Sequence, residues 1–250
     1  LPCRVICCHS MDIKHKPETL PLMRIASYNI RKAVGLDWRR DPHRIVDVIG
    51  ELDADIVVLQ EADKRLGQRP GVLPLDRLED EQGFLLANFS SGAQSHGWHG
   101  NAILYRVAHV AMPSTERIPL PAREPRGAIA AHFEPQDFMV IGAHLALTSG
   151  IRKKQMQTLC AHAGNVGKPT IIAGDFNHWA RTLPAGQHEV ITPGLSFHAS
   201  RQVAALDRFI LCGGITAIDA RVHRSLKARR ASDHLPIVLD FELSERPDEW

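Results

Sequence analysis

A chain of 250 residues, 44% apolar and 23% charged, can bury a sizeable core and falls outside the disordered, collagen-like and disulfide-scaffold classes. Its formal net charge of +2 excludes polyanion binding by bulk charge, so any preference for nucleic acid or anionic phospholipid must come from local patches. No apolar run approaches the ~20 residues of a membrane span, and of five cysteines three crowd the start (Cys3, Cys7, Cys8) while Cys160 and Cys212 lack metal-ligand spacing. That pattern gives no disulfide framework and points to reduced thiols in a cytoplasmic setting.

Residues 1–22 carry no periodicity and no signal-peptide pattern, and are expected to form a disordered extension to a single domain at 23–243, with 244–250 a loose tail. The first expected strand, Arg24–Tyr28, runs into Asn29. Asp41 followed by Pro42 reads as an N-cap with proline in the first turn, opening a helix whose inward face is Ile45, Ile49 and Leu52. Strand Asp55–Leu59 leads to Glu61. Strands Ala102–Tyr105, Ala128–Phe133 and Phe138–Ala143 follow, the last ending at His144. Ser149 is the expected cap of a second helix, with Met156, Leu159, Cys160 and Ala163 inward, Arg152, Lys153 and Lys154 outward, and Gly164 or Gly167 as its stop. Strand Thr170–Ala173 leads to Gly174, Asp175 and Asn177. Asp207 precedes strand Arg208–Leu211, and Asp233 and His234 precede Pro236–Phe241, where proline suits the first strand position. Helices interspersed with many strands give an α/β protein of two or more layers.

One pattern recurs along this series: an apolar strand meets a polar residue at its end. Antiparallel neighbours would bring Asn29, Glu61, His144, Asp175 with Asn177, Asp207, and Asp233 with His234 to one rim of the sheets, where rigid elements can hold a site. Taken singly, each has an ordinary explanation. Asn29 is a turn residue, Glu61 and Asp175 are solvated carboxylates, Asp233 is a cap, His144 is a hydrogen-bonded structural histidine, and Gly174 marks a tight turn. Six convergent strand ends outweigh those separate readings.

In order and spacing, SYNIR, LQEAD, GAHLAL, AGDFNHW, ALDRFI and SDHLPIV resemble the motifs of the endonuclease/exonuclease/phosphatase superfamily, and HGNAILYR and EPRGAIAAHF resemble intervening segments of its compact bacterial members. The resemblance spans about residues 23–243 and implies a four-layer α/β/β/α sandwich of two mixed sheets, as in deoxyribonuclease I. It implies a Mg2+-dependent phosphoesterase (Mn2+ as substitute) acting by in-line attack of water. Glu61 matches the metal-binding glutamate, with Asn29 and Asp233 as further metal contacts. Asp175 matches the aspartate that handles the attacking water, Asn177 an amide on a phosphoryl oxygen, His144 a donor to the phosphate, and His234 the histidine at the phosphate, held by Asp207. Arg126 and Arg152 are candidate phosphate contacts.

The substrate signal is thinner, because one such centre serves many phosphoesters. Phosphodiesters are expected ahead of monoesters, and nucleic acid slightly ahead of a phospholipid headgroup, acted on by a monomer without stable membrane insertion. The basic run Arg221–Arg230 reads either as a solvated loop or as a contact for an anionic backbone or headgroup. Trp38, Trp98 and Trp179, in loops near the motifs, read as base or acyl-chain contacts or as rim packing. The alternative from another class, a catalytically silent binding module on this scaffold, conflicts with the intact set of carboxylates and imidazoles.

Overall fold

In the computed structural model, which describes residues 22–64, 67, 69–89, 94–122, 126–134 and 136–244, the first apolar run forms β1 (Met23–Asn29). Asp41 then starts α1 (Pro42–Glu51). Its carboxylate accepts from the Arg44 amide at 3.0 Å, and Pro42 takes the first turn, where no N–H is needed. The chain returns as β2 (Ile56–Gln60), parallel to β1 with Asn29 beside Gln60. Parallel neighbours require such a crossover, and α1 packs on the sheet through Ile45, Val46, Val48 and Ile49.

Helix α2 (Leu75–Gln82) and strands β3 (Phe84–Leu86) and β4 (Ala102–Arg106) extend this sheet past β2. The second sheet begins as an antiparallel meander of β5 (Ser114–Pro119), β6 (Gly127–Phe133) and β7 (Phe138–His144). Helix α3 (Ser149–Val166) crosses over to β8 (Thr170–Asp175), parallel to β7, and β9 (Glu189–Ile191) and β10 (Asp207–Cys212) complete the sheet. Strand β11 (Ile215–Val222), the short helix α4 (Ala228–Ala231) and β12 (Ile237–Leu243) return to the first sheet. The strand orders are β11-β12-β1-β2-β4-β3 and β5-β6-β7-β8-β10-β9.

Strand periodicity sorts the second sheet into two faces. Ile129, Ala131, Phe133, Ile171, Ala173, Phe209 and Leu211 pack with the first sheet. Their alternates Ala128, Ala130, Ile172, Ile210 and Cys212 pack with Met156, Leu159 and Ala163 of α3. Helices thus cover both outer faces of two apposed sheets, which is the expected four-layer sandwich.

The structure corrects several local expectations. Strands β3, β5, β9 and β11 and helices α2 and α4 were not expected from the apolar pattern. Ser149 is the first helical residue rather than the cap; Thr148 holds that position, without a side-chain bond. The helix passes through Gly164 and stops at Gly167, whose φ of 66° suits glycine. Pro236 lies just outside β12. The expected extension and tail fall, but for Leu22 and Ser244, outside the described residues.

Candidate active site

Parallel pairing sends β1 and β2 out at one rim, so Asn29 and Glu61 leave the first sheet together. In the second sheet His144 lies beside Asp175 across the parallel β7–β8 pair, and Asp207 lies opposite Asp175 across the antiparallel β8–β10 pair. Strand β12 runs antiparallel to β1, which puts Asp233 and His234, just before it, at the same rim. The close approach of β7 and β8 there requires Gly174. With φ +153°, a Cβ on this residue would stand 1.8 Å from the Ala143 carbonyl oxygen.

Three groups converge on the Asp175 Oδ2 atom. The Asn29 side-chain amide donates to it at 3.1 Å, and the Nε2 atoms of His144 and His234 each stand 3.6 Å away. The other carboxylate oxygen accepts from the Asn177 backbone amide at 2.9 Å. His234 donates through Nδ1 to Asp207 Oδ2 at 2.8 Å, and the same oxygen accepts from the Ser196 hydroxyl at 2.5 Å. Asp175, Asp207 and His234 are all buried.

This environment drives the two imidazoles apart. Burial holds His144 down to about 4, against the pull of Asp175. Burial would also lower His234, but the charge of Asp207, its hydrogen bond, and the charges of Asp175 and Asp233 raise it to about 9. At neutral pH the rim therefore holds a neutral and a cationic imidazole around one carboxylate oxygen.

Asn29, Glu61 and Asp233, the expected metal contacts, each have a partner of their own. Asn29 is engaged with Asp175 through its amide and accepts the Arg31 amide on Oδ1 at 3.1 Å. Asp233 pairs with Arg31 at 3.4 Å. The Glu61 carboxylate meets the ammonium of Lys32. Asn177 donates its side-chain amide to the Leu145 carbonyl at 2.9 Å, so it braces the loop after β7. Arg126 reaches the His144 carbonyl and lines the cleft with Glu61. Arg152, in contrast, donates to the Ala146 and Leu147 carbonyls at 3.1 and 2.7 Å. It is a brace for that loop, as is Gln155, which accepts from the Ala146 amide, and no phosphate contact is needed to explain it.

Backbone strain marks the same place. Arg31, Lys32 and Ala33 form a left-handed turn with φ of 46°, 56° and 59°, and Glu61 and Asn177 have φ of 53° and 49°. Each such residue costs roughly 1–2 kcal/mol. The turn aims Lys32 at Glu61 and Arg31 at Asp233, as strained backbone at functional sites commonly does.

Two donor sets among the described residues bear on a metal ion. Asp175, Asp207 and His234 have ligand atoms within 4.8 Å of one another. An imidazole hydrogen-bonded to one carboxylate and facing another is built for handling a proton rather than for a hard cation. Glu61 and Asn101 line one cleft, and the Asn101 Oδ1 atom is buried without a hydrogen-bond partner while its Nδ2 donates to Gly127. Oxygen donors of this kind suit Mg2+, and a cation there would take the Glu61 carboxylate in place of the Lys32 ammonium. The residues fit the cation.

Sequence reasoning missed Lys32, Asn101, Ser196 and Phe197, whose ring lies 4.9 Å from that of His234. It also missed Arg208, a buried guanidinium that donates to the His178 and Ala180 carbonyls and so pins the loop bearing Trp179. Lys32 directly follows SYNIR and Asn101 lies inside HGNAILYR, so the signal for both was at the quoted motifs.

Comparison with known proteins gives one family. The family model described as Endonuclease/Exonuclease/phosphatase matches residues 26–234. A UPF0294 protein of Yersinia pestis is 28% identical over 239 residues, covering 90% of this chain and 85% of its own. The crystal structure of an endonuclease/exonuclease/phosphatase from Beutenbergia cavernae superposes with TM-score 0.66 at 23% identity, covering 91% of this chain and 73% of that one. TDP2 of D. rerio, solved with single-strand DNA product, gives TM-score 0.64 at 18% identity, covering 88% and 99%.

Proposed function

Because the chain belongs to the Endonuclease/Exonuclease/phosphatase family, we propose that it is a divalent-metal-dependent phosphoesterase that cleaves phosphodiesters, with nucleic acid favoured over anionic phospholipid as substrate. The observation that carries the reading is the single oxygen, Asp175 Oδ2, faced at 3.6 Å by two imidazoles and bonded by the Asn29 amide. Those 3.6 Å distances exceed hydrogen-bond length, so neither Nε2 atom is committed to Asp175 and each is available to a water or a phosphoryl oxygen bound beside the carboxylate.

Asp175 takes the proton of the attacking water, and the Asn29 amide fixes its orientation. Asp207 holds the His234 tautomer, so that cationic Nε2–H points at the phosphate and meets the charge that grows on it. His144 supplies a second donor without adding charge. Glu61 and Asn101, with Asn29 and Asp233 as further contacts, would hold the cation, which when bound neutralises phosphoryl charge and acidifies water. Lys32, Lys64, Arg69 and Arg126 line the cleft beside Glu61 and favour an anionic substrate. The structural likeness to TDP2, solved with a single-strand DNA product, supports nucleic acid.

Among the described residues no helix is long and apolar enough to cross a membrane, and the free thiols of Cys160 and Cys212 accord with a reducing, cytoplasmic setting. The test is a panel of small diesters, small monoesters, oligonucleotides and anionic phospholipids with Mg2+ or Mn2+. Diesters should turn over fastest, and oligonucleotides faster than phospholipids. Cleavage of monoesters alone would overturn the diester assignment, and faster turnover of phospholipids would overturn the preference for nucleic acid.

A further inference from the structure

We propose that Trp38 is a stacking platform for a base of a single-stranded nucleic acid, one arginine away from the scissile phosphate. The inference rests on the nucleic-acid reading of the rim site and adds to it a strand type and a specificity residue.

Trp38 is 79% exposed, against 62% for Trp179, while Trp98 is partly buried. A large aromatic left in water is ordinary when its loop is loose, but this loop is over-determined. The Trp38 amide donates to the Gly35 carbonyl at 3.0 Å, the Gly35 amide donates to the Arg39 carbonyl at 3.0 Å, and Val34 and Arg40 form a bridge. The Leu36 amide donates to the Arg230 carbonyl at 3.0 Å, and the Arg44 guanidinium holds Asp37 at 2.8 and 3.1 Å. Within this frame Trp38 is held at φ +60°, a conformation that a bulky residue avoids. The fold maintains a strained backbone and an exposed ring together.

The ring is supported from one side. The Arg31 guanidinium carbon lies 4.9 Å from its centroid, and Arg31 Nε pairs with Asp233 at 3.4 Å. Arg31 therefore joins the ring directly to the residue that precedes His234. Arg39, Arg40, Arg229 and Arg230 are exposed on the same loop and on α4, to which the loop is bonded. An aromatic face backed by one guanidinium and surrounded by others is the arrangement that binds single strands: bases stack, and phosphates pair with arginine. In a duplex the base faces are already covered by their neighbours. A lipid surface would call for a cluster of apolar side chains, whereas here one ring stands among arginines and the neighbouring Leu36 is half-buried. The basic run recognised in the sequence divides accordingly. Arg221 pairs with Asp219 and Asp240, Lys227 with Asp47, and Arg224 donates to the Val222 carbonyl, while Arg229 and Arg230, the latter 3.8 Å from Asp37 and still exposed, lie beside the platform.

The test is fluorescence anisotropy of a labelled single-stranded oligonucleotide in Ca2+, which positions phosphate with little turnover. Trp38→Ala should weaken binding about 10- to 100-fold, Trp38→Phe should restore most of it, and the duplex of the same sequence should change less than about twofold, since its base faces are covered. Equal affinity of wild type and Trp38→Ala for the single strand, or an equal loss on strand and duplex, overturns the proposal. So does wild-type binding to phosphatidylglycerol vesicles, lost in Trp38→Ala, with no binding of the oligonucleotide. Hydrolysis of bis(4-nitrophenyl) phosphate separates the two readings. If wild type and Trp38→Ala cleave it equally while the strand result fails, the platform alone falls. If wild type cleaves no phosphoester, the reading beneath it falls as well.

Discussion

Asp175 sits where one carboxylate oxygen is shared among an amide and two imidazoles, so a change there isolates chemistry from packing. Asp175→Asn keeps the shape and should slow turnover by ~10²–10⁴-fold with little change in stability. His234→Ala should slow turnover as much but also lower stability, because it leaves the buried Asp207 carboxylate without its imidazole. Asp207→Asn should slow turnover less, because the imidazole it orients remains in place. The double variant Asp207→Asn/His234→Ala should be no slower than His234→Ala alone; additive rate losses would separate Asp207 from the histidine. These residues were legible because each is a lone polar group at the end of an apolar run. Ser196, which donates to the same Asp207 oxygen, lies in a loop where no periodicity flags it. Neither was His96 legible, a buried imidazole whose Nε2 accepts the Leu73 amide at 2.8 Å. Burial lowers its affinity for a proton more than the charge of Asp63 raises it. A depressed folded value contributes stability that is present above the unfolded value and lost as pH falls through the folded one. Unfolding free energy should therefore drop below about pH 6.5, by up to ~1.4 kcal/mol per pH unit. Melting curves of His96→Gln should show a shallower slope, the remainder coming from buried His144, and an unchanged slope would discharge His96 from the role.

The crossover elements were legible and the borders were not. α1 and α3 carry apolar spacing, and the central strands are buried on both faces, so their sequences read as near-continuous apolar runs. All four unexpected strands, β3, β5, β9 and β11, are sheet edges. Edges need no second apolar face and carry charge against mispairing, as STERIP in β5 shows. Gly174 was expected to mark a turn, yet it lies inside β8, where backbone replaces the missing side chain. Gly174→Ala should force β7 from β8 between His144 and Asp175, costing on the order of 3 kcal/mol and abolishing activity. Gly164→Ala is the control: nothing lies within 4 Å of its added Cβ inside α3, so it should stabilise by about 0.5–1 kcal/mol. Chemical denaturation of both reads the contrast, and a Gly174→Ala protein as stable as wild type would show that the strands can part without penalty.

Across the molecule, each sheet is centred on one parallel pair bridged by a helix, β1-α1-β2 in the first and β7-α3-β8 in the second. The site lies on both: Asn29, Glu61, Asp233 and His234 come from the first sheet, and His144, Asp175, Asn177 and Asp207 from the second. That division explains why the order of motifs was readable while their meeting was not. Periodicity assigns strands, but the apposition of two sheets rests on the whole core, and only resemblance to the family supplied it in advance. The central claim, a cation-dependent phosphoesterase at this shared rim, is tested most directly by the rate of bis(4-nitrophenyl) phosphate hydrolysis. Wild type and Asp175→Asn are measured with Mg2+ or Mn2+, in excess chelator, and after the cation is restored. The account predicts wild-type turnover that falls to background on chelation and returns with the cation, and an Asp175→Asn rate lower by ~10²–10⁴-fold wherever the cation is present. Wild-type turnover persisting in chelator, or an Asp175→Asn rate equal to wild type, would contradict it.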